Sequence, residues 1–413
     1  MTTAAAWGEF YQDIHLHPEL SFQESRTAGL VAEQLAADGF QVTTGVGRTG
    51  VVGLLRNGDG PVVLLRADMD ALPVQEVTGL PYASTQRGTD PGGTDVPVMH
   101  ACGHDVHVTC LLAACERLAA ERDSWAGTIL AVFQPAEELG AGAQAMVDDG
   151  LYARFPTPDV VLGQHVAPLP GGVIGLHAGP AYAATDTVRI VLHGRGGHGS
   201  MPDSTVDPVV RAAATVMRLQ TIVAREVAAA DFAVVTVGRL TAGTKANIIP
   251  DDAEILVNVR TYTEAVRTRV LAAIERIARG EAAAAGAPAE PDIERFESLP
   301  TVINDPEALE HARPALAAAC ASIVDHGPIA GSEDVGILAI AAGAPCVYWA
   351  LGGADPALFA GHSTFEEVAG LVRTLPSNHS PLYAPAIEPT LTVGTAALVN
   401  AARAWLGPVH PAR

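Results

Sequence analysis

The sequence predicts an α/β protein in which a smaller ferredoxin-like unit, of order β-α-β-β-α-β, is inserted into a larger mixed domain. Three observations predict it. Four apolar runs, VVLLR (62–66), TILAVF (128–133), DVVLG (159–163) and PCVYWAL (345–351), suit strands covered by helices on both faces. Between the third and fourth runs lie segments that alternate apolar and polar, as half-exposed strands do, with two helical stretches among them. The chain of 413 residues, 48% apolar, is also longer than one ordinary core organises.

Taken in order, residues 5 to about 36 carry an apolar pattern of helical period, and GFQVTTGVGRTGVVGLLRNG then reads as a hairpin from its β-branched runs and glycines. DVHVTCLLAACERLAAE is helical, with Asp105 as the expected N-cap. TDTVRIVLHG opens the inserted unit as an alternating strand. Asp207 to Val227 is helical, FAVVTVGRL and AEILVNVRTY are strands, Thr263 to Ala285 is helical, and PDIERFES is the last strand. The expected borders fall near Ala184 and Glu297, so that residues 1–183 and 298–413 form the larger domain around an insertion at 184–297. EAAAAGAPAEP reads as a helix end and loop. The uncharged run from Gly336 to Ala354 approaches membrane-spanning length, but Pro345 and its glycines split it into helix, turn and strand.

Composition removes several classes of function. A formal charge of -21, with only 25 Lys and Arg, leaves no basic stripe for a phosphate backbone, so nucleic acid is not an expected partner. The N-terminus has no basic start and no sustained apolar core, which points to a cytoplasmic protein without membrane attachment. Five cysteines in a chain this long read as thiols rather than as a disulfide framework.

Open α/β sheets bind ligands beyond the carboxyl ends of their strands. After VVLLR come Asp68 and Asp70; after TILAVF come Glu137 and Glu138; His165 follows the third run; and VMHACGHDVHV supplies Cys102 and His104 just before a helix. Singly, each has a plain structural explanation: a solvated Glu-Glu turn, a satisfied core histidine, a loop-capping aspartate. Together, carboxylate, imidazole and thiolate at one sheet edge make a ligand set for a divalent transition metal. A thiolate favours zinc or a similar borderline metal over magnesium or calcium, which take oxygen cages. The rival role for Cys102, a nucleophile beside a histidine, is disfavoured because neighbouring carboxylates raise a thiol's pKa.

These stretches resemble the zinc-dependent aminoacylase and carboxypeptidase superfamily with co-catalytic metals, and within it the amidohydrolase branch that includes hippurate hydrolase and indole-acetyl-amino-acid hydrolases. The similarity runs through LHPELSFQE, RADMDALPV, MHACGHDVHV, QPAEELGAGAQAMVDDG, GQHV, GRGGHGSMPDSTVDPV, NIIPDDAEI, GSEDVG and NHSPLYAP, with MHACGHD followed by PAEE the most specific part. The resemblance implies a metallopeptidase-like α/β domain interrupted by a lid that serves in homodimerisation. It implies two divalent ions per subunit, zinc or manganese with cobalt or nickel as alternatives, on Cys102, His104, Glu138, His165 and His379. Cys102 would bridge the ions where carboxypeptidase-like relatives carry an aspartate. Glu137 matches the general base, and Asp68 an aspartate that orients a metal-bound histidine. Arg66 stands where those relatives have a ligating histidine, a departure the whole branch shares, and His104 would fill that vacancy.

His198, in GGHGSMP, resembles a lid histidine that reaches the partner subunit's active site, although Gly199, Ser200 and Asp203 depart from the usual branch residues around it. Asn247 and Arg260 match positions near the substrate carboxylate; the plain alternatives are a turn-shaping residue and a strand-surface charge. His100 and His107 are expected to support the site rather than to ligate. The implied activity is metal-dependent hydrolysis of N-acyl amino acids. Alternatives are a dipeptidase, an aminobenzoyl-glutamate-type hydrolase, or a non-catalytic binding protein, the last disfavoured because base and ligands are all present.

Overall fold

The computed structural model describes residues 2–362 and 364–408; Met1, Ser363 and residues 409–413 of the expected outer domain lie outside them. The chain divides into two units. One comprises Met1–Ala181, Ile303–Gly327 and Asp334–Arg413, and the other Tyr182–Val302 with Pro328–Glu333. The second unit therefore extends past the borders expected near 184 and 297 and gains a short strap from later in the chain. Hydrogen bonds explain the strap: the Ala183 N–H donates to the carbonyls of Ile329 and Gly331, and Arg260 Nη1 donates to the Ala330 carbonyl and to Ser332 Oγ.

In the first unit the four apolar runs become Gly127–Gln134, Val62–Asp68, Val160–Pro170 and Cys346–Ala354, which lie side by side in that order and run parallel. The expected hairpin, Gln41–Val46 with Gly50–Asn57, joins antiparallel at the Gly127 side. Parallel strands covered on both faces must be apolar throughout. Gly127–Gln134 is accordingly buried along its whole length. Register then sets the site. Asp68 pairs with Gln134, and Arg66 with Gly163, so the carboxyl ends that carry Asp68, Glu137 and His165 come level at one edge.

The His104–Ala120 helix is buried at residues 104–115 and again at Leu118. It packs against the Ala4–Leu16, Ser25–Ala37 and Ile387–Trp405 helices and the Val62–Asp68 strand. Its N-cap is Gly103, not Asp105 as the sequence suggested. Asp105 instead lies in the first turn, where its carboxylate accepts from His15 Nδ1 at 2.6 Å. His15 Nε2 lies 3.2 Å from Glu76 Oε1, and all three side chains are buried. Among the described residues no helix is long and apolar enough to cross a membrane.

The second unit is a four-stranded antiparallel sheet of order Ala233–Ala242, Asp252–Thr261, Ala184–His193, Asp292–Leu299. Helices Pro208–Leu219 and Glu264–Ala284, N-capped by Asp207 and Thr263, pack on the sheet. Alternation puts Val188, Ile190 and Leu192 with Ile255, Val257 and Val259 in its core, the period-2 pattern of a sheet with one covered face.

Burial alone would push the His15 imidazole down, but the Asp105 hydrogen bond, joined by Glu76, lifts it to about 10. A raised pKa stabilises the fold fully below the unfolded value, 6.5, and that contribution is lost as pH rises through about 10. His15→Ala leaves two buried acids without their cation and is expected to cost about 3–5 kcal/mol near neutral pH. Urea unfolding of both proteins at pH 6 and pH 9.5 checks it: the gap narrows at the higher pH if His15 is the charged partner.

Candidate metal centre

All the residues of the centre belong to the first unit. Cys102 and His104 flank Gly103, whose φ of 82° and close approach to Val166 leave room for no side chain: a Cβ there would sit 2.4 Å from Val166 Cγ1. The turn lets two residues that would diverge on a helix face the same way, with His104 already the first helical residue. Glu137 and Glu138 follow the Gly127–Gln134 strand on a short 3-10 turn entered through Ala136 at φ 48°. The chain then doubles back so tightly that a Cβ on Gly142 would meet the Pro135 carbonyl at 1.5 Å. His379, also left-handed at φ 71°, is tied in by its N–H to the Ala101 carbonyl at 2.8 Å. Asn378 beside it donates to the carbonyls of Cys102, 3.0 Å, and Val166, 3.1 Å. Non-glycine residues in this region cost roughly 1–3 kcal/mol and persist where the surroundings hold them.

These elements bring Cys102, His104, Glu138, His165 and His379 together. Two groups of potential ligand atoms, each within 4.8 Å of one another, share the Cys102 sulfur: Cys102 with His104 and His165, and Cys102 with Glu138 and His379. Cys102 Sγ lies 3.5 Å from His165 Nε2, and Glu138 Oε2 lies 3.4 Å from His379 Nε2. His104 Nε2 is 3.9 Å from both Glu137 Oε2 and Glu138 Oε1. The His379 side chain is 56% exposed, so the second group is the more open to solvent, while in the first Cys102 and His104 are buried and His165 is partly exposed.

The donors are poorly served by one another. Both ring nitrogens of His104 and Glu138 Oε1 are buried without a hydrogen-bond partner among the described residues. Burial, then the charge of Glu138, push the Cys102 thiol up. Cys102 and Glu138 lift His379 to about 10, whereas burial and the neighbouring His107 push His165 well down. For His104 burial lowers the pKa, but the charge of Asp68, with Asp70 and Cys102, outweighs it. A divalent cation inverts this logic, since it holds a thiolate, neutral imidazoles and a carboxylate at once. The residues present fit a two-ion centre.

Behind the ligand atoms, Asp68 was expected to orient a metal-bound histidine. Its Oδ1 accepts from His107 Nδ1 at 2.5 Å and its Oδ2 from Arg66 Nη1 at 2.6 Å, with His104 Nε2 at 3.6 Å. The Val166 N–H donates to His107 Nε2 at 2.8 Å, which fixes that ring's tautomer and steadies the backbone next to His165. The carboxylate at the far side of the His104 ring is Asp70, 3.3 Å from Nδ1. Asp70 also accepts the N–H groups of Glu137, 3.1 Å, and Glu138, 3.0 Å, and the Ser21 hydroxyl, 2.6 Å. From sequence Asp70 reads only as a strand-end acid; its spacing of two from Asp68, directed to the same edge, is the available signal. His100 is buried with both nitrogens lacking a partner among the described residues, and burial pushes it down to about 4.

His198, Asn247 and Arg260 lie in the second unit. Gly197–His198 pairs with Ile248–Ile249, His198 Nδ1 accepts from Ser200 Oγ at 2.7 Å, and the Gly199 N–H donates to the Asn247 carbonyl at 2.9 Å. Arg260 Nε donates to Asn258 Oδ1 at 3.1 Å, beside its bonds to the strap.

The profile of peptidase family M20/M25/M40 matches residues 64–375. The chain belongs to that family. This M20 chain is 40% identical over 337 residues to hippurate hydrolase of Campylobacter jejuni, spanning 80% of this chain and 84% of that one. It is 38% identical over 326 residues to N-acetylcysteine deacetylase of Bacillus subtilis, spanning 78% and 82%. The crystal structure of a dinuclear metal-binding M20 peptidase from Bacillus subtilis superposes with a TM-score of 0.77 at 30% identity, over 97% of each chain. The M20 chain is thus a hydrolase of amide bonds.

The shared sulfur makes a prediction about stoichiometry. Cys102→Ala should lower the content of both ions, and His379→Ala mainly that of one, when protein-bound metal is counted by mass spectrometry after exhaustive dialysis. Loss of only one ion from Cys102→Ala would show that Cys102 does not serve both groups.

Proposed function

We propose that this M20 hydrolase cleaves the amide bond of N-acyl amino acids, releasing a carboxylic acid and a free amino acid, with Glu137 as general base. The observation that carries the reading is the sharing of Cys102 by two donor groups with Glu137 alongside, its Oε2 3.9 Å from His104 Nε2. Two divalent ions, zinc or manganese with cobalt or nickel as alternatives, would be held by Cys102, His104, Glu138, His165 and His379, and when bound supply the electrophile that polarises the amide carbonyl and acidifies water. Adjacent glutamates divide the work. Glu138 is turned to His379, which leaves Glu137 to take a proton from water and return it to the leaving amine. Asp68 acts through the histidines it holds.

His198, Asn247 and Arg260 are assigned to the substrate on the strength of their motifs: His198 toward the charge that grows on the amide oxygen, Asn247 and Arg260 toward the free carboxylate. A homodimer through the inserted unit belongs to the same reading. It is supported by Val210 and Met217, which are 66% and 71% exposed on one helix of that unit. A cytoplasmic setting accords with cysteines that are all free thiols. Hippurate and N-acetylcysteine, the substrates in the names of the two relatives, are both N-acyl amino acids.

Glu137→Gln should keep the fold and bound metal and lose about 10²–10⁴-fold in kcat on hippurate. Retention of most activity would remove Glu137 from the role. Release of amino acid from hippurate, acetyl-, long-acyl- and indole-acetyl-amino acids, set against dipeptides and aminobenzoyl-glutamate, tests the substrate class; preference for either of the last two would overturn it.

A further inference from the structure

The turn that carries Glu137 and Glu138 is gripped by a residue more than a hundred positions earlier, Glu24, which is fully buried. Glu24 Oε1 accepts the Ala136 N–H at 2.8 Å and the Phe22 N–H at 2.9 Å, while Oε2 accepts the Thr49 hydroxyl at 2.5 Å. Asp70 takes the next two N–H groups, those of Glu137 and Glu138. Three consecutive amides of the turn therefore end on two buried carboxylates. The residues on either side of the Glu24 carboxylate, Phe22 and Ala136, both hold positive φ, 60° and 48°. The loop bearing Thr49 packs on the same turn, where a Cβ on Gly50 would lie 3.1 Å from Pro135 Cδ.

An acid here costs stability on its own account, because it is desolvated and sits near a second acid. Burial, then the Asp70 charge, push its carboxyl up to about 7. Such a group persists where its geometry is needed. Without its acceptor, the Ala136 N–H would be a buried donor unsatisfied in a left-handed residue, and the backbone would relax toward the ordinary region. That rotation redirects the Cα–Cβ bond of the very next residue, Glu137.

We propose that Glu24 is a positioning residue for the general base: its carboxylate fixes Ala136 in the left-handed conformation and thereby aims the side chain of Glu137. The inference rests on the reading of Glu137 given above. Glu138 and the other ligands keep their own supports in Asp70 and Asn378, so the effect falls on turnover rather than on metal retention.

Full-length Glu24→Ala, Glu24→Asp and Glu24→Gln are compared with wild type for kcat, KM, metal content and unfolding temperature. Misplacement of a catalytic group by about an ångström typically costs on the order of 10²-fold, and that loss is expected in kcat for Glu24→Ala and Glu24→Asp, with KM and metal content unchanged. Glu24→Gln, which keeps an oxygen for Ala136 and Phe22, should stay within about threefold of wild type, under the 1.4 kcal/mol that a tenfold change represents. Wild-type kcat in folded Glu24→Ala, or a Glu24→Gln as impaired as Glu24→Ala, or a kcat loss matched by loss of metal, overturns the proposal. If Glu24→Ala fails to fold, Glu24→Asp decides by the same kcat and metal readings. An active Glu137→Gln would instead sink the reading of the base, whereas an inactive Glu137→Gln beside a fully active Glu24→Ala would sink only this inference.

Discussion

Asp70 is the joint on which the centre depends. A carboxylate with no exposed surface must fill its lone pairs from the protein, and this one takes hydrogen bonds from two different parts of the chain and sets a third, the His104 ring, beside them at ion-pair distance. The Ser21 hydroxyl comes from the N-terminal segment, two N–H groups from the turn after the Gly127–Gln134 strand, and the His104 ring from the start of the central helix. Burial raises the pKa of Asp70, but His104, Ser21 and the Glu138 amide outweigh it and keep the group ionised. Because one atom pair serves several elements, none of them can shift without leaving a buried acceptor or donor unpaired, a loss of about 1–3 kcal/mol per group.

The sheet makes that joint possible. Parallel strands end at a common edge, and the register that sets Asp68 level with Gln134 determines which loops meet there. Packing holds the edge still: the helix that begins at His104 is enclosed by three others, so its first turn cannot fray as an exposed helix end would. Sites built on such ends are held more firmly than sites on free loops.

What could be read from the sequence was whatever is local. The four apolar runs gave the central strands because burial on both faces leaves a compositional trace. Cys102, His104, Glu137 and Glu138 stood out because each lies within a few residues of such a strand or of the helix start. Asp105 was misassigned as a cap since the pattern that favours aspartate before a helix does not show that a left-handed glycine already fills the position. Glu24 closes the LHPELSFQE stretch that carries part of the resemblance, but its residue type points to no role, as a glutamate ahead of a helix ordinarily faces water. Asp70 was ambiguous because in RADMD both acids follow the strand, and only three-dimensional contact separates the one holding His107 from the one holding the Glu137 turn. The strap at 328–333 has no compositional border, its membership being decided by backbone hydrogen bonds to Ala183.

Charge, as well as geometry, favours a cation at this centre. Asp68, Asp70, Glu137, Glu138 and the Cys102 thiol surround His104, and Asp334 joins them through Arg66. Arg66, buried under the site, is the one permanent cation in contact with this group among the described residues. The carboxylates of this group outnumber its one permanent cation, and a divalent ion would offset part of that imbalance. The same imbalance accounts for the Cys102 thiol, which burial and Glu138 keep protonated until a cation arrives.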